Sequence, residues 1–273
     1  MLDGKKIGFI GSGAIAEALI SGIVQAGLIA PSQIIVSDIS QSRLDYMQEK
    51  FNVHTTLKLE EVVKEVNILF LTVKPQVIHS VLDVISPFVS PAILVVSVVA
   101  GVTTKALQER MPAVPIIRAM PNTPVAVGEG MTVIALGEYA NKENGELIVT
   151  IFAAVGKGII MDESAMDAVT GLSGSGPGYV FVLIDALSDA GVAVGLSRQN
   201  ALLMAAQTLF GAAKMVLETG EHPAKLRDMV TSPGGTTIAG VHVLEQRGVR
   251  AALMDAVKAA AQRSQDMGKK TNE

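Results

Sequence analysis

The segment Ile7-Gly8-Phe9-Ile10-Gly11-Ser12-Gly13-Ala14-Ile15-Ala16 sets a Gly-x-Gly-x-x-Ala pattern between an apolar, β-branched run and the start of a helical pattern. Each small residue answers a steric demand. Gly11 permits a tight turn, Gly13 lets the backbone approach a bulky anion, and Ala16 lets the helix close on the strand. The helix start then presents N–H groups without intrahelical acceptors and a partial positive charge, worth about 0.3–1 kcal/mol per anionic contact at an exposed site. The anion that fits is a dinucleotide pyrophosphate, and the chemistry is hydride transfer by a nicotinamide. A tight βα turn with no ligand is the plainer alternative.

Asp38 follows the run Ile34 to Ser37, where a Rossmann domain places the residue that reads the adenosine ribose. It comes later than the usual ~20 residues past the first glycine, a difference the loop around Pro31 absorbs. A carboxylate there favours NADH, yet Ser37 and Arg43 offer partners to the 2′-phosphate of NADPH, so both cofactors stay open. Asp38 as the N-cap of the next helix is a third reading. Thr72-Val73-Lys74-Pro75 and Val98-Val99-Ala100 follow two further strands and point at the same crevice. Lys74 is the one charge in its loop, and the small residues of the other loop suit a flat ring. A solvated Lys in a Pro-capped loop is equally compatible with the first.

The elements that must position these residues alternate from Lys5 to about Met161. Short apolar runs at Ile7–Ile10, Ile34–Val36, Ile68–Leu71, Ile93–Val96, Ile116–Ile117 and Met131–Ile134 are separated by helical patterns. Runs this uniformly apolar are covered on both faces, which predicts an α/β fold with a doubly wound, mainly parallel sheet. After Asp162 such runs stop, and Pro177–Gly195, Gln199–Thr219, Thr236–Arg247 and Val249–Gln265 read as helices. The spacing predicts a dinucleotide domain over 1–162, a helical domain over 163–273, and a disordered tail from Gly268 to Glu273.

Composition removes other classes of function. The chain has 273 residues and no Cys, which excludes disulfides, thiolate catalysis and cysteine metal sites. Its four His, at 54, 79, 222 and 242, lack ligand spacing, and Met204, Met215, Met229 and Met254 read as helix packing. A net charge of −4 without a basic face argues against nucleic acid and anionic membranes. The longest apolar stretch, Ala92 to Val102, falls short of the ~20 residues of a spanning helix. A cytoplasmic protein is expected. The apolar content, 49% of the chain, exceeds what one modest core needs and suggests a subunit interface.

Ser232-Pro233-Gly234-Gly235-Thr236-Thr237 reads as a loop entering a helix, able to cradle a small carboxylate. Ordinary capping by Ser232 and Thr236 explains it equally well. With Val73-Lys74-Pro75, Arg118-Ala119-Met120-Pro121-Asn122-Thr123-Pro124 and Thr170-Gly171-Leu172-Ser173-Gly174-Ser175-Gly176-Pro177, the chain resembles, over nearly its whole length, pyrroline-5-carboxylate reductase, the enzyme of the last step of proline biosynthesis. The resemblance implies reduction of a ring imine by NADPH or NADH, with Ile10, Gly11, Ser12, Gly13, Ala14, Ile15, Ser37, Thr72 to Pro75 and Val98 to Ala100 at the cofactor. It also implies that Gly235, Thr236 and Thr237 hold the substrate, with Glu163 nearby. Ser232 and Gly234 complete that loop, and Thr237 is the candidate to place a hydroxyl on the ring nitrogen. It further implies a homodimer through C-terminal helices, five of which form a decamer, each site taking its Ser-Pro-Gly-Gly loop from the partner. Leu59 and Met229 stand where an Asn is usual. Two rivals remain: a β-hydroxyacid dehydrogenase, which needs a catalytic Lys such as Lys214 or Lys225, and a non-catalytic dinucleotide sensor.

Overall fold

The structure, a computed structural model, describes residue 2 and residues 4–271. Its sheet has eight strands: β1 (Ile7–Ile10), β2 (Ile34–Ser37), β3 (His54–Thr56), β4 (Ile68–Leu71), β5 (Leu94–Ser97), β6 (Ile116–Met120), β7 (Gly130–Leu136) and β8 (Gly156–Ile160). Their order is β3-β2-β1-β4-β5-β6-β7-β8. The first six in chain order run parallel, and β7 pairs antiparallel with β6. Gly8 on β1 lies opposite Ile35 on β2 and Leu69 on β4. The strand order reverses at β1, so the C-terminal ends of β1 and β4 border the crevice where open α/β sheets take ligands.

The apolar runs divide by alternation, as a period of two requires. Ile7, Phe9, Ile34, Val36, Ile68, Phe70, Leu94 and Val96 enter one core cluster, and Ile10, Ile35, Leu69, Leu71, Val95 and Ile116 enter the other. Helices α1 (Ala14–Gln25), α2 (Gln41–Phe51) and α6 (Lys142–Ala153) cover the first face; α3 (Leu59–Glu65), α4 (Ile78–Ile85) and α5 (Thr104–Arg110) cover the second. Phe9 stacks on Phe70 with centroids 4.9 Å apart, and Phe70 meets Phe152 edge-on at 6.3 Å. Each such fully buried ring or branched chain contributes about 1.5–3 kcal/mol. Leu59, at the start of α3, packs against the second cluster, so here its position is an apolar one.

Beyond β8 come α7 (Met166–Val169), a π-helical turn at Thr170–Gly174, α8 (Gly176–Ala193), α9 (Arg198–Thr219), α10 (Pro223–Met229), α11 (Thr236–Gln246) and α12 (Val249–Thr271). The chain divides into two compact units, one running up to Gly174 and resuming at Ala259, the other Ser175–Lys258. The expected disordered tail is corrected in part. Residues 268–271 continue α12, because the Ala-rich stretch before them propagates helix at low cost; residues 272 and 273 lie outside those described.

In the second unit α8 and α9 form a tight hairpin. A Cβ on Gly191 would stand 2.8 Å from the Cβ of Ala201, and Arg198 donates to the buried Ser188 at 2.9 Å. Outside that contact the helices are open: Phe181 is 62% exposed, Leu203 67% and Leu217 64%. By length and composition α9, with 22 residues, could cross a membrane, a candidate that the apolar-run criterion overlooked because Gln207 and Lys214 interrupt it. Its apolar residues are spread around alanines rather than run together.

Candidate active site

The turn between β1 and α1 depends on Gly11. Its φ is +97°, and a Cβ there would meet the Thr72 carbonyl oxygen at 2.8 Å. Gly11 N–H donates to the Ser37 carbonyl at 2.8 Å, while the Thr72 hydroxyl donates to the carbonyls of Ile10 and Gly11 at 2.9 and 2.7 Å. These bonds tie β1, β2 and β4 together at one edge. Helix α1 then starts at the N-cap Gly13, which gives no side-chain capping bond, and no heavy atom lies within 4 Å of where its Cβ would be. Ile10 is buried and Ile15 packs on the core, so what these two present to a ligand is backbone; Ala14 is exposed.

Asp38 stands just past β2. Its Oδ2 accepts from the Ser12 N–H and hydroxyl, each at 2.7 Å, and its Oδ1 accepts from the Ser40 N–H at 3.0 Å. The N-cap of α2 is Ser40, whose hydroxyl accepts from Arg43 N–H, so Asp38 is not the helix cap. Burial pushes the Asp38 carboxyl up, but donors from Ser12, Ser40 and Ile39 outweigh it and hold the group below its ordinary range. Arg43 donates through Nε and Nη2 to the Ser12 carbonyl and forms an ion pair with Glu17 at 2.9 Å. Glu17 also takes Lys50 at 2.9 Å and the Tyr46 hydroxyl at 2.7 Å. Burial raises Glu17, and the bonds from Lys50, Tyr46 and Arg43 overcome it, bringing the carboxyl to about 2. Ser37 is fully buried and its hydroxyl has no partner among the described residues.

The two remaining loops follow β4 and β5. Lys74 is exposed, forms no ion pair among the described residues, and precedes a short 3-10 turn at Pro75–Val77. Val98 N–H donates to the Leu71 carbonyl at 3.1 Å and Val99 N–H to the Ser97 hydroxyl at 3.3 Å, with the Val99 side chain in the core. Ala100 is half-buried. Thus Ile10 to Ile15, Ser37, Asp38, Thr72 to Pro75 and Val98 to Ala100 all sit at the C-terminal edge of neighbouring strands.

Glu163 does not offer a free carboxylate. Its Oε1 accepts from Thr104 N–H at 2.8 Å and from Arg118 at 3.2 Å, and its Oε2 accepts from the Thr104 hydroxyl. Arg118, only 8% exposed along its side chain, was passed over as a site residue. A charge inside the otherwise apolar strand Ile116–Met120 was the signal that could have found it. Asn122 likewise braces the backbone, accepting from Met131 N–H at 2.9 Å and donating to the Ser173 carbonyl of the π-helical turn at 3.0 Å.

In the second unit Ser232–Gly235 form a turn closed by Gly235 N–H to the Ser232 carbonyl at 3.0 Å, with Gly234 at φ +67°. The N-cap of α11 is Gly235 and has no side-chain capping bond, so neither Ser232 nor Thr236 caps the helix. Its first-turn N–H groups are therefore open to an anion. Thr236 is exposed and Thr237 half-buried at the second helical position. Lys214 and Lys225 lie in exposed i,i+4 pairs with Glu218 and Glu221, which is surface chemistry rather than a buried acid or base. Met229, the last residue of α10, is 69% exposed.

Comparison with known proteins bears on both units. A family model described as pyrroline-5-carboxylate reductase dimerisation matches residues 163–267, and one described as NADP oxidoreductase, coenzyme F420-dependent, matches residues 6–101. The chain is 48% identical to a pyrroline-5-carboxylate reductase from Arabidopsis thaliana, covering 96% of this chain and 95% of the relative. Among solved structures, a pyrroline-5-carboxylate reductase from Coxiella burnetii superposes with a TM-score of 0.92 at 36% identity, covering 97% of this chain and 99% of that one. A pyrroline carboxylate reductase from Plasmodium falciparum with NADP bound gives 0.87 at 32%, covering 97% and 99%. With 48% identity to one such reductase over 96% of its length, and the dimerisation model matching its helical part, the chain belongs to the pyrroline-5-carboxylate reductase family.

Proposed function

We propose that this chain reduces L-1-pyrroline-5-carboxylate to L-proline, the last step of proline biosynthesis, taking a hydride from NADPH or NADH. The observation that carries the reading is the near-full-length match to relatives named for this reductase. The residues present fit a dinucleotide: the space over Gly13 is open, the α1 terminus has no side-chain cap, and the buried Ser37 hydroxyl lacks a partner among the described residues.

When bound, the reduced nicotinamide supplies hydride to the carbon of the ring C=N. The N–H groups of Gly13, Ala14 and Ile15 bind the pyrophosphate, while Gly11 and Ser12 spend theirs on Ser37 and Asp38 to shape the turn. Ser37 and Asp38 stand at the adenosine-ribose end of β2, and Thr72 to Pro75 hold the cofactor with Lys74 as a positive partner. Val98 to Ala100 present a flat wall to the ring. N–H groups of the Ser232 to Thr236 segment hold the substrate carboxylate, and the Thr237 hydroxyl holds the ring nitrogen and its proton. A protonated imine is already electrophilic, so orientation supplies most of the rate; well-placed reactants gain up to ~7–11 kcal/mol. Glu163, bound by Thr104 and Arg118, steadies the start of α5 just after the Val98–Ala100 loop.

The protein is a homo-oligomer built on its helical unit, and the finer reading is a dimer, five of which make a decamer. A cytoplasmic location without nucleic acid or membrane partners agrees with the absence of Cys and the net charge of −4. The test mixes purified protein with pyrroline-5-carboxylate and NADH or NADPH and follows nicotinamide absorbance. Oxidation with at least one cofactor is expected, and none with either would overturn the proposal.

A further inference from the structure

We propose that Asp38, locked by Ser12 and Ser40 and backed by Arg43 closed onto Glu17, makes this enzyme select NADH over NADPH. The inference rests on the reading that the β1–α1 turn holds a dinucleotide, because the end of β2 then meets the adenosine ribose. An ionised carboxylate only accepts hydrogen bonds, at about four lone-pair positions. Ser12 donates twice to Oδ2, Ser40 donates once to Oδ1, and Ile39 N–H is a further donor, the contact that a ribose hydroxyl would replace. The 2′-phosphate of NADPH brings a charge of about −1.5 to −2 and no donor that Asp38 can use.

Asp38 has no route out of the way. Ser12 is fully buried, so withdrawal of the carboxylate would strand both its N–H and its hydroxyl without partners. The residues that could offset a phosphate are also committed. Arg43 is held on the Ser12 carbonyl and on Glu17, and lies 4.8 Å over the Tyr46 ring. Lys50 closes on the same Glu17 and on the Tyr46 hydroxyl. Two cations are thus matched by Glu17 and Asp38, with no surplus positive charge for a dianion. Ile39, the next residue, is 97% exposed and apolar, and Ser37 brings only a neutral hydroxyl. Neither offers a phosphate an accessible charged donor.

The test titrates the full-length protein separately with NADH and NADPH, reading dissociation constants from nicotinamide fluorescence and following unfolding temperature in the same samples. NADH is expected to bind at least about tenfold more tightly, a difference of about 1.4 kcal/mol. Asp38→Asn should shrink that ratio at least about fivefold. Ile39→Arg, which leaves the Ser12 contacts untouched, should raise NADPH affinity by about tenfold while NADH binding holds. NADPH binding equal to or tighter than NADH in the unaltered protein would overturn the preference and leave the reductase reading standing. Binding of neither would overturn both. A ratio unmoved by Ile39→Arg and Asp38→Asn would remove Asp38 as its cause.

Discussion

Glu17 carries more than its place in the first turn of α1 requires. Three donors bring its carboxyl from 4.5 to about 2, so the stability it lends is complete above pH 4.5 and is lost as pH falls toward 2. The shift caps the effect at about 3 kcal/mol, and partial exposure cuts it to roughly 1–2 kcal/mol. Glu17→Gln should therefore flatten the fall in melting temperature as pH drops from 4.5 toward about 2, read by circular dichroism. Thr237 invites a kinetic test. Thr237→Ala should lower kcat by about 100-fold while the dinucleotide dissociation constant hardly moves. Collapse of cofactor binding instead would reassign that residue. At this scale the sequence was readable where chemistry is local: Gly11, Gly13 and the Ser232–Thr237 segment declare themselves by spacing. It was not readable where partners are remote. Glu163 meets Arg118 across 45 positions of chain, and no spacing rule joins them.

The element scale separates two glycines that look alike in one motif. Gly13 has ordinary φ and open space above it, so Gly13→Ala should leave the melting temperature within a degree or two (about 0.5 kcal/mol) and weaken dinucleotide binding about tenfold or more. Gly11 sits at φ +97° against the Thr72 carbonyl, so Gly11→Ala should cost about 1–3 kcal/mol of stability, measured by urea unfolding. The clamp between β6 and α5 behaves differently again. Arg118→Met leaves Glu163 with Thr104 alone and should cost about 3 kcal/mol, with the Glu163→Gln double variant recovering part of the loss. Strands buried on both faces announced themselves as apolar runs. β3, His54-Thr55-Thr56, did not, because an edge strand is half wet and can be polar. β8 was hidden in the same way by Gly156, Lys157 and Gly158. The seven-residue α10 escaped because its start relies on a His222 ring nitrogen accepting from Ala224 N–H at 3.2 Å, an unusual cap.

For the whole molecule, the exposed apolar side chains of α8 and α9 set the expectation. Phe181, Leu203, Phe210 and Leu217 are each more than half exposed in the single chain, too much to leave in water. A charged pair of substitutions, Phe181→Asp with Leu203→Lys, should yield a species of monomer mass in sedimentation, and should abolish the dependence of melting temperature on protein concentration. A different consequence follows from α12, whose first ten residues belong to one compact unit while the rest belong to the other. There Ser264 donates to Asp167 at 2.6 Å, joining the last helix to the segment just after the sheet. The first unit is therefore discontinuous, and its second piece is synthesised only after the whole of the other unit. The dinucleotide domain can begin to form during synthesis, but it is completed only once the residues from Ala259 onward have emerged. A nascent chain stalled a few turns short would carry its glycine loop on an unfinished scaffold.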